Sequence, residues 1–258
     1  MIDLDRIMPE LVRHHLLPAT YQCVFVAGSL IRGWGNETSD VDIYIVTDSP
    51  WQSGSADPRP VQLRNGLVPA EIHHLAGRRW DIEYWHAEQV DELLEKVGWE
   101  DVNRGGAAAR QMSWLENDFL ERVSYGVALA GQSYLAELAR RREASAFRSL
   151  MVARALDYLD LSTEDATGQL DSDDVESAVI AAKLAFGSAV DALLASHGEF
   201  GNNEKWRARR MRVVTPKELS FEDYWSVETM RDFDPATPRS WVEQVLARCN
   251  RIATEVVV

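Results

Sequence analysis

The stretch Gly28-Ser29-Leu30-Ile31-Arg32-Gly33-Trp34-Gly35-Asn36-Glu37-Thr38-Ser39-Asp40-Val41-Asp42-Ile43-Tyr44-Ile45-Val46 decides the fold class of this 258-residue chain. Before it, Tyr21–Ala27 is a compact apolar run rich in β-formers, too short for an independent helix and bounded by Pro18 and Gly28, so it reads as a buried strand. A Gly-Ser pair at the end of such a strand leaves the backbone open to close approach. The turn into a following helix then points free N–H groups outward, which favours phosphate. Ten residues after Ser29 comes Ser39-Asp40-Val41-Asp42. Side chains at i and i+2 of a strand share a face, so Asp40 and Asp42 project together while Val41, Ile43 and Ile45 face a core. Two adjacent carboxylates repel and raise each other's pKa unless a cation sits between them. Magnesium, a hard ion that prefers carboxylate and phosphate oxygen, is the natural occupant.

Working outward, Val41–Thr47 is a second strand, and Asp48–Pro60, rich in Pro and Ser, reads as a loop. Val61–Arg64 and Pro69–Leu75 read as short strands, and Arg79–Trp85 follows the Ala76-Gly77 turn. On that last strand Asp81 and Glu83 share a face, and either could join the aspartate pair. Leu4–Leu17 carries apolar residues at helical spacing and ends at Pro18. From about Gln89 apolar residues recur every three to four positions, predicting helices near 88–97, 107–128, 132–141, 144–161, 173–196, 203–213 and 239–256. Strands followed by helices predict an α+β arrangement in two parts.

Three segments together resemble the nucleotidyltransferase superfamily that includes DNA polymerase beta, kanamycin nucleotidyltransferase and the streptomycin adenylyltransferases. These are Ala27-Gly28-Ser29, Asp40-Val41-Asp42-Ile43 and Trp80-Asp81-Ile82, in the order of that superfamily. The resemblance covers roughly residues 20–86, a third of the chain. It implies a small mixed β-sheet catalytic domain with flanking helices; the change from strand-rich to helical pattern near Gly126–Gly131 sets its expected bounds at residues 1–127, with an all-helical bundle over 128–258. It further implies that Asp40, Asp42 and a third carboxylate hold two magnesium ions, and that Gly28, Ser29 and Ser39 contact the nucleotide. The third acid is read as Asp81, whose setting resembles the polymerase-beta strand, with Glu83 as the alternative seen in the antibiotic enzymes. That acid would otherwise serve as general base on an acceptor hydroxyl, which attacks the α-phosphorus of an NTP, expected to be ATP, and expels pyrophosphate.

In the helical half, Asn202-Asn-Glu-Lys205-Trp206-Arg207-Ala-Arg209-Arg210-Met-Arg212 concentrates basic residues in a chain of net charge −14. Lys205-Trp206 resembles a lysine-tryptophan stretch in the helical domains of several small-molecule nucleotidyltransferases, which implies that Lys205, with Arg209 beside it, reaches the triphosphate. Trp34 and Trp85 are candidates to line an acceptor or base. The negative charge disfavours an extended nucleic-acid face, because phosphate backbones would be repelled. The expected acceptor is therefore a small molecule, an aminoglycoside-like cation being one that suits acidic walls. Protein AMPylation and non-catalytic nucleotide binding remain as alternative roles. Cys23 and Cys249 lack a metal-ligand or disulfide pattern. Without a signal-like start or a run of about 18 apolar residues, a cytoplasmic protein with no membrane partner is expected. The sequence does not address its oligomeric state.

Overall fold

The computed structural model describes residues 3–104, 111–201 and 203–257. It divides into two compact units, Met1–Ala146 and Phe147–Val258. The first is built on β1 (Tyr21–Ala27), β2 (Val41–Thr47), β3 (Asp57–Pro60), β4 (Leu67–Leu75), β5 (Arg78–His86) and β6 (Val127–Ala130), in the sheet order β3-β4-β5-β2-β1-β6. The β2–β5 pair is parallel and the other pairs are antiparallel, so the sheet is mixed as expected. β4 turns into β5 through Ala76 and Gly77, both at positive φ (51° and 76°), the backbone that a two-residue hairpin turn requires.

Alternation along β2 separates the sheet's two faces. Val41, Ile43 and Ile45 join Val24, Val26, Ile82 and Tyr84 in one buried layer, which Ile7 and Leu11 of α1 (Ile7–Arg13) cover. Tyr44, on the opposite face, stacks on Phe25 with ring centroids 5.0 Å apart. Phe119 meets both rings edge-on at 6.1 Å. After β1 comes the four-residue α2 (Gly28–Ile31); α3 (Ala87–Lys96) and α4 (Trp99–Asn103) follow β5. Phe119 belongs to α5 (Trp114–Val123), which Ser113 and Glu116 start with reciprocal side-chain to backbone hydrogen bonds. α6 (Gln132–Ala144) ends the unit.

Several expected elements differ. The first helix shortens to α1, preceded by a 3-10 turn at Leu4–Arg6. The expected Asp48–Pro60 loop contains β3, an edge strand whose two prolines, Pro58 and Pro60, an outer position tolerates. Val61–Arg64 is not a strand. The helix expected over 107–128 contains α5; its positions 107–110 lie outside the described residues, and its last two positions belong to β6, which pairs with β1. A division between residues 127 and 128 would cut β6.

The second unit is all-helical: α7 (Phe147–Asp171), α8 (Val175–Ser196), α9 (Arg207–Val214), α10 (Phe221–Glu228) and α11 (Pro238–Glu255). α10, capped by Ser220, is a short element that apolar spacing did not predict. Small residues let α8 pack closely: Ala178, Ala182, Ala185 and Ala189 are all fully buried against Phe186, Val242 and Val245. By length and composition α8 could cross a membrane, with mean hydropathy 1.7, yet 72% of that window is buried inside the unit, as a core helix requires. Cys23 and Cys249 are buried free thiols, and burial pushes each up to about 12.

One buried ion pair ties α3 to α5. Lys96, 5% exposed, places Nζ 3.2 Å from the carboxylate of the fully buried Glu116 and 3.1 Å from the Gln62 carbonyl oxygen. Removing one partner leaves the other charge buried and uncompensated, at a cost of roughly 3–5 kcal/mol. Lys96→Met should therefore lower the urea midpoint strongly, and adding Glu116→Gln should recover part of the loss. Equal midpoints for wild type and Lys96→Met would show that the pair does not hold these helices together.

Candidate active site

Parallel pairing aligns Asp42 of β2 with Asp81 of β5, and Tyr44 with Glu83 one step further along the same face. Gly28 closes on this pair from the end of β1. Its φ of +82° lies in the left-handed region, and a Cβ built there would fall 1.8 Å from Asp42 Oδ2. Any side chain at position 28 would displace the carboxylate. Gly28 and Ser29 are the first residues of α2, so their N–H groups have no acceptor within that helix. Gly28, Ser29, Asp40, Asp42 and Asp81 thus belong to one end of the sheet around β1, β2 and β5, with Glu83 one pleat further in on β5.

Each acid has a different setting. Asp40, just before β2, is 40% exposed, with Oδ2 4.0 Å from Arg79 Nε. Asp81 accepts a bidentate pair from Arg79, Nε to Oδ1 at 2.7 Å and Nη2 to Oδ2 at 2.8 Å. Asp42 is pushed up to about 6, first by burial and then by the like charges of Asp118, Asp81 and Asp40, against the pull of Arg122. Glu83 is buried, accepts from Trp85 Nε1 at 3.0 Å, and is pushed up to about 8 by burial, with Asp118 adding to the rise. Arg59 approaches it at 3.5 Å.

Ser39 holds the loop into β2. Its Oγ accepts from Asn36 N–H at 2.9 Å, and its carbonyl accepts from Arg78 Nη1 at 3.2 Å. Trp34 lies under the Arg32 guanidinium at 3.7 Å. Trp85, expected near an acceptor, is instead fully buried, 4.4 Å from the Phe119 ring centroid. Lys205 and Arg209 belong to the second unit and are exposed; Lys205 Nζ lies 5.1 Å from the Trp206 ring centroid. Asn202 lies outside the described residues.

Sequence spacing missed the support beneath the acids. Tyr44 Oη donates to Asp118 Oδ2 at 2.9 Å, and Arg122 Nε donates to the same oxygen at 3.1 Å. Arg122 Nη1 also donates to Tyr125 Oη at 2.6 Å. Asp118 and Arg122 stand four residues apart on α5, a spacing that reads locally as a surface ion pair. Only the burial of polar residues on α5, Glu116 through Glu121, distinguishes it from one.

Carboxylates near one another, one of them pushed toward its protonated form chiefly by burial, suit a hard divalent cation. Asp40 and Asp42 fit that role directly, whereas both oxygens of Asp81 are taken by Arg79. Among the described residues, no three His, Cys, Asp or Glu side chains are grouped to enclose a metal ion.

No protein-family model and no curated protein matches the chain. Among solved structures it is similar to a nucleotidyltransferase-like protein from Exiguobacterium sibiricum, at 10% identity and a TM-score of 0.52, over 98% of this chain and 75% of that one. The fold is nucleotidyltransferase-like, a mixed sheet with flanking helices followed by a helical region.

An unfolded aspartate titrates near 3.8, and folding raises Asp42 to about 6. The folded state binds the proton more tightly, so stability is lost as the pH rises through that window and stays lost above it. Asp42→Asn should stabilise the metal-free protein at pH 7.5 by roughly 2–3 kcal/mol, with the gain vanishing toward pH 4. Unfolding in EDTA across that range checks this; a gain independent of pH would show that packing, not charge, causes it.

Proposed function

We propose that this protein transfers a nucleoside monophosphate, with AMP as the expected group, from an NTP to a hydroxyl of a small molecule. The observation that carries the reading is Gly28, held at positive φ against Asp42, itself level with Asp81, in a nucleotidyltransferase-like fold. A turn without a Cβ lets phosphate oxygens approach Gly28 and Ser29 N–H groups beside the acids. Asp40 and Asp42 would hold magnesium, which when bound supplies Lewis-acid charge at the triphosphate. Asp81, released from Arg79, would take the acceptor hydroxyl's proton or complete the ion-binding set. The acceptor oxygen then forms its bond to the α-phosphorus as the bond to pyrophosphate breaks, in line. The net charge of −14 supports a small, even cationic, acceptor over a nucleic acid.

The Arg79–Asp81 pair favours one second reading, a nucleotide-binding regulator in which the third acid stays locked. The two separate by experiment. Incubation with each NTP, magnesium and a panel of aminoglycosides, lincosamides and metabolites should yield a mass gain of one nucleotide on an acceptor. Asp42→Asn and Asp40→Asn should each lower that rate by about 10²–10³-fold, the scale on which active-site charge stabilisation operates. Nucleotide binding without transfer across the panel would favour the regulator, and unchanged turnover in Asp42→Asn would refute the metal-binding assignment.

A further inference from the structure

α7 and α8 are joined by the short turn Ser172–Asp174 and pack against each other as a hairpin, leaving an open groove of about 450 Å³ along their seam. Ile180, Ala181 and Leu184 of α8 give the groove an apolar wall. Ile180 is 61% exposed and Leu184 56%, while Leu161 and Tyr158, one and two turns before Asp165 on α7, are 58% and 54% exposed. Single exposed apolar side chains are ordinary, but four along one seam mark an interaction surface. The composition of α8 points the same way. Ala178, Ala182, Ala185 and Ala189 form its core-facing side, and Ile180 and Leu184 occupy the opposite side, where a surface helix carries polar groups. A helix apolar all round is one that is covered all round.

Charge selects the cover. From Asp157 to Ala182 the chain carries eight acidic residues and no lysine or arginine. Asp165 and Glu176 line the groove itself, and among the described residues no lysine or arginine does. Lys183, next in sequence, is half-buried and does not line it. A second copy would bring the same acids to the contact, and an anionic membrane surface would be repelled. A helix with Lys or Arg flanking its apolar side is complementary on both counts. A seam between two helices takes a third helix whose anchors recur at i, i+3, i+4 and i+7.

We propose that the α7–α8 groove docks a basic amphipathic helix of a partner protein, its apolar anchors on Leu161, Ile180 and Leu184 and its cationic side chains reaching Asp165 and Glu176. The proposal does not rest on nucleotide transfer. Fluorescence anisotropy of the full chain is to be measured against synthetic helices of about 18 residues, with Leu, Ile, Phe or Met as anchors and Lys elsewhere, at about 0.15 M salt. Each has a scrambled control of the same composition and a counterpart with Glu in place of Lys. At least one basic amphipathic peptide should bind with a micromolar Kd, and its two controls should bind about tenfold more weakly or worse. Ile180→Gln with Leu184→Gln should weaken that binding about tenfold without lowering Tm, since both side chains are exposed. Asp165→Asn with Glu176→Gln should weaken it and flatten its dependence on salt. The proposal fails if no peptide binds, if the scrambled controls bind equally, or if both double variants bind as tightly as wild type. Sedimentation of the free chain and of mixtures with phosphatidylcholine vesicles separates the other occupants: a dimer or a vesicle complex abolished by the Ile180→Gln, Leu184→Gln pair would assign the face to a second copy or to lipid and overturn the proposal.

Discussion

Parallel, in-register pairing of β2 with β5 places Asp42 beside Asp81, and much of the first unit can be understood as a response to that juxtaposition. Neighbouring strands lie about 4.8 Å apart, so the two carboxylates cannot escape each other by side-chain rotation alone. Gly28 removes the remaining freedom on one side, since its missing Cβ is what gives the Asp42 carboxylate room. The hydrophobic alternation of β2 then locks the register. A one-residue slip would bring Val41, Ile43 and Ile45 to the acidic face and bury the aspartates in the layer under α1.

The counter-charges are graded from solvent to core. Arg79, 41% exposed, holds Asp81 and stands 4.0 Å from Asp40 at the open end. Arg122, 19% exposed, is fixed from below by Asp118 and Tyr125. The outer arginine can swing away at small cost, because exposed ion pairs contribute little. The inner one cannot leave without stranding Asp118, which is 6% exposed on its side chain. Burial is the main cause of the raised Asp42 pKa, and Arg122 offsets it only in part. A site that destabilises its own fold in this way is expected where charge must be available for a ligand.

How far the sequence could be read follows from the range of the forces involved. β1 and β2 were legible at their observed bounds because a buried strand shows a short β-rich run between breakers. The spacing of the acids was legible because Asp42, Asp81 and Glu83 alternate on apolar strands with Asp40 just before β2, a local signal. β6 was not, since the four residues Val127–Ala130 carry no alternation and take strand form only by pairing with β1 across about a hundred positions. Asp118 and Arg122 escaped notice for the same reason, their depth being set by Phe119 packing on Phe25 and Tyr44. The basic run at 205–212 was legible as a charge cluster but not as two populations. Arg207 and Arg210, three apart, share an inward face, while Lys205 and Arg209 point outward.

The two units resolve buried charge in opposite senses. At the sheet, burial first and the neighbouring carboxylates second leave Asp42 holding its proton tightly, against the pull of Arg122. In the helical unit the balance reverses: one carboxylate, Asp191, receives two guanidinium groups, and Arg210 retains an N–H that nothing answers. An excess of buried carboxylate calls for a cation, and an excess of buried donor calls for an acceptor oxygen. Neither imbalance serves packing, since an apolar replacement of similar volume would relieve each one. The imbalances therefore differ in sign: the sheet end is rich in carboxylate, whereas the helical core holds its guanidinium groups closed around Asp191, with Arg207 also 3.9 Å from Glu228.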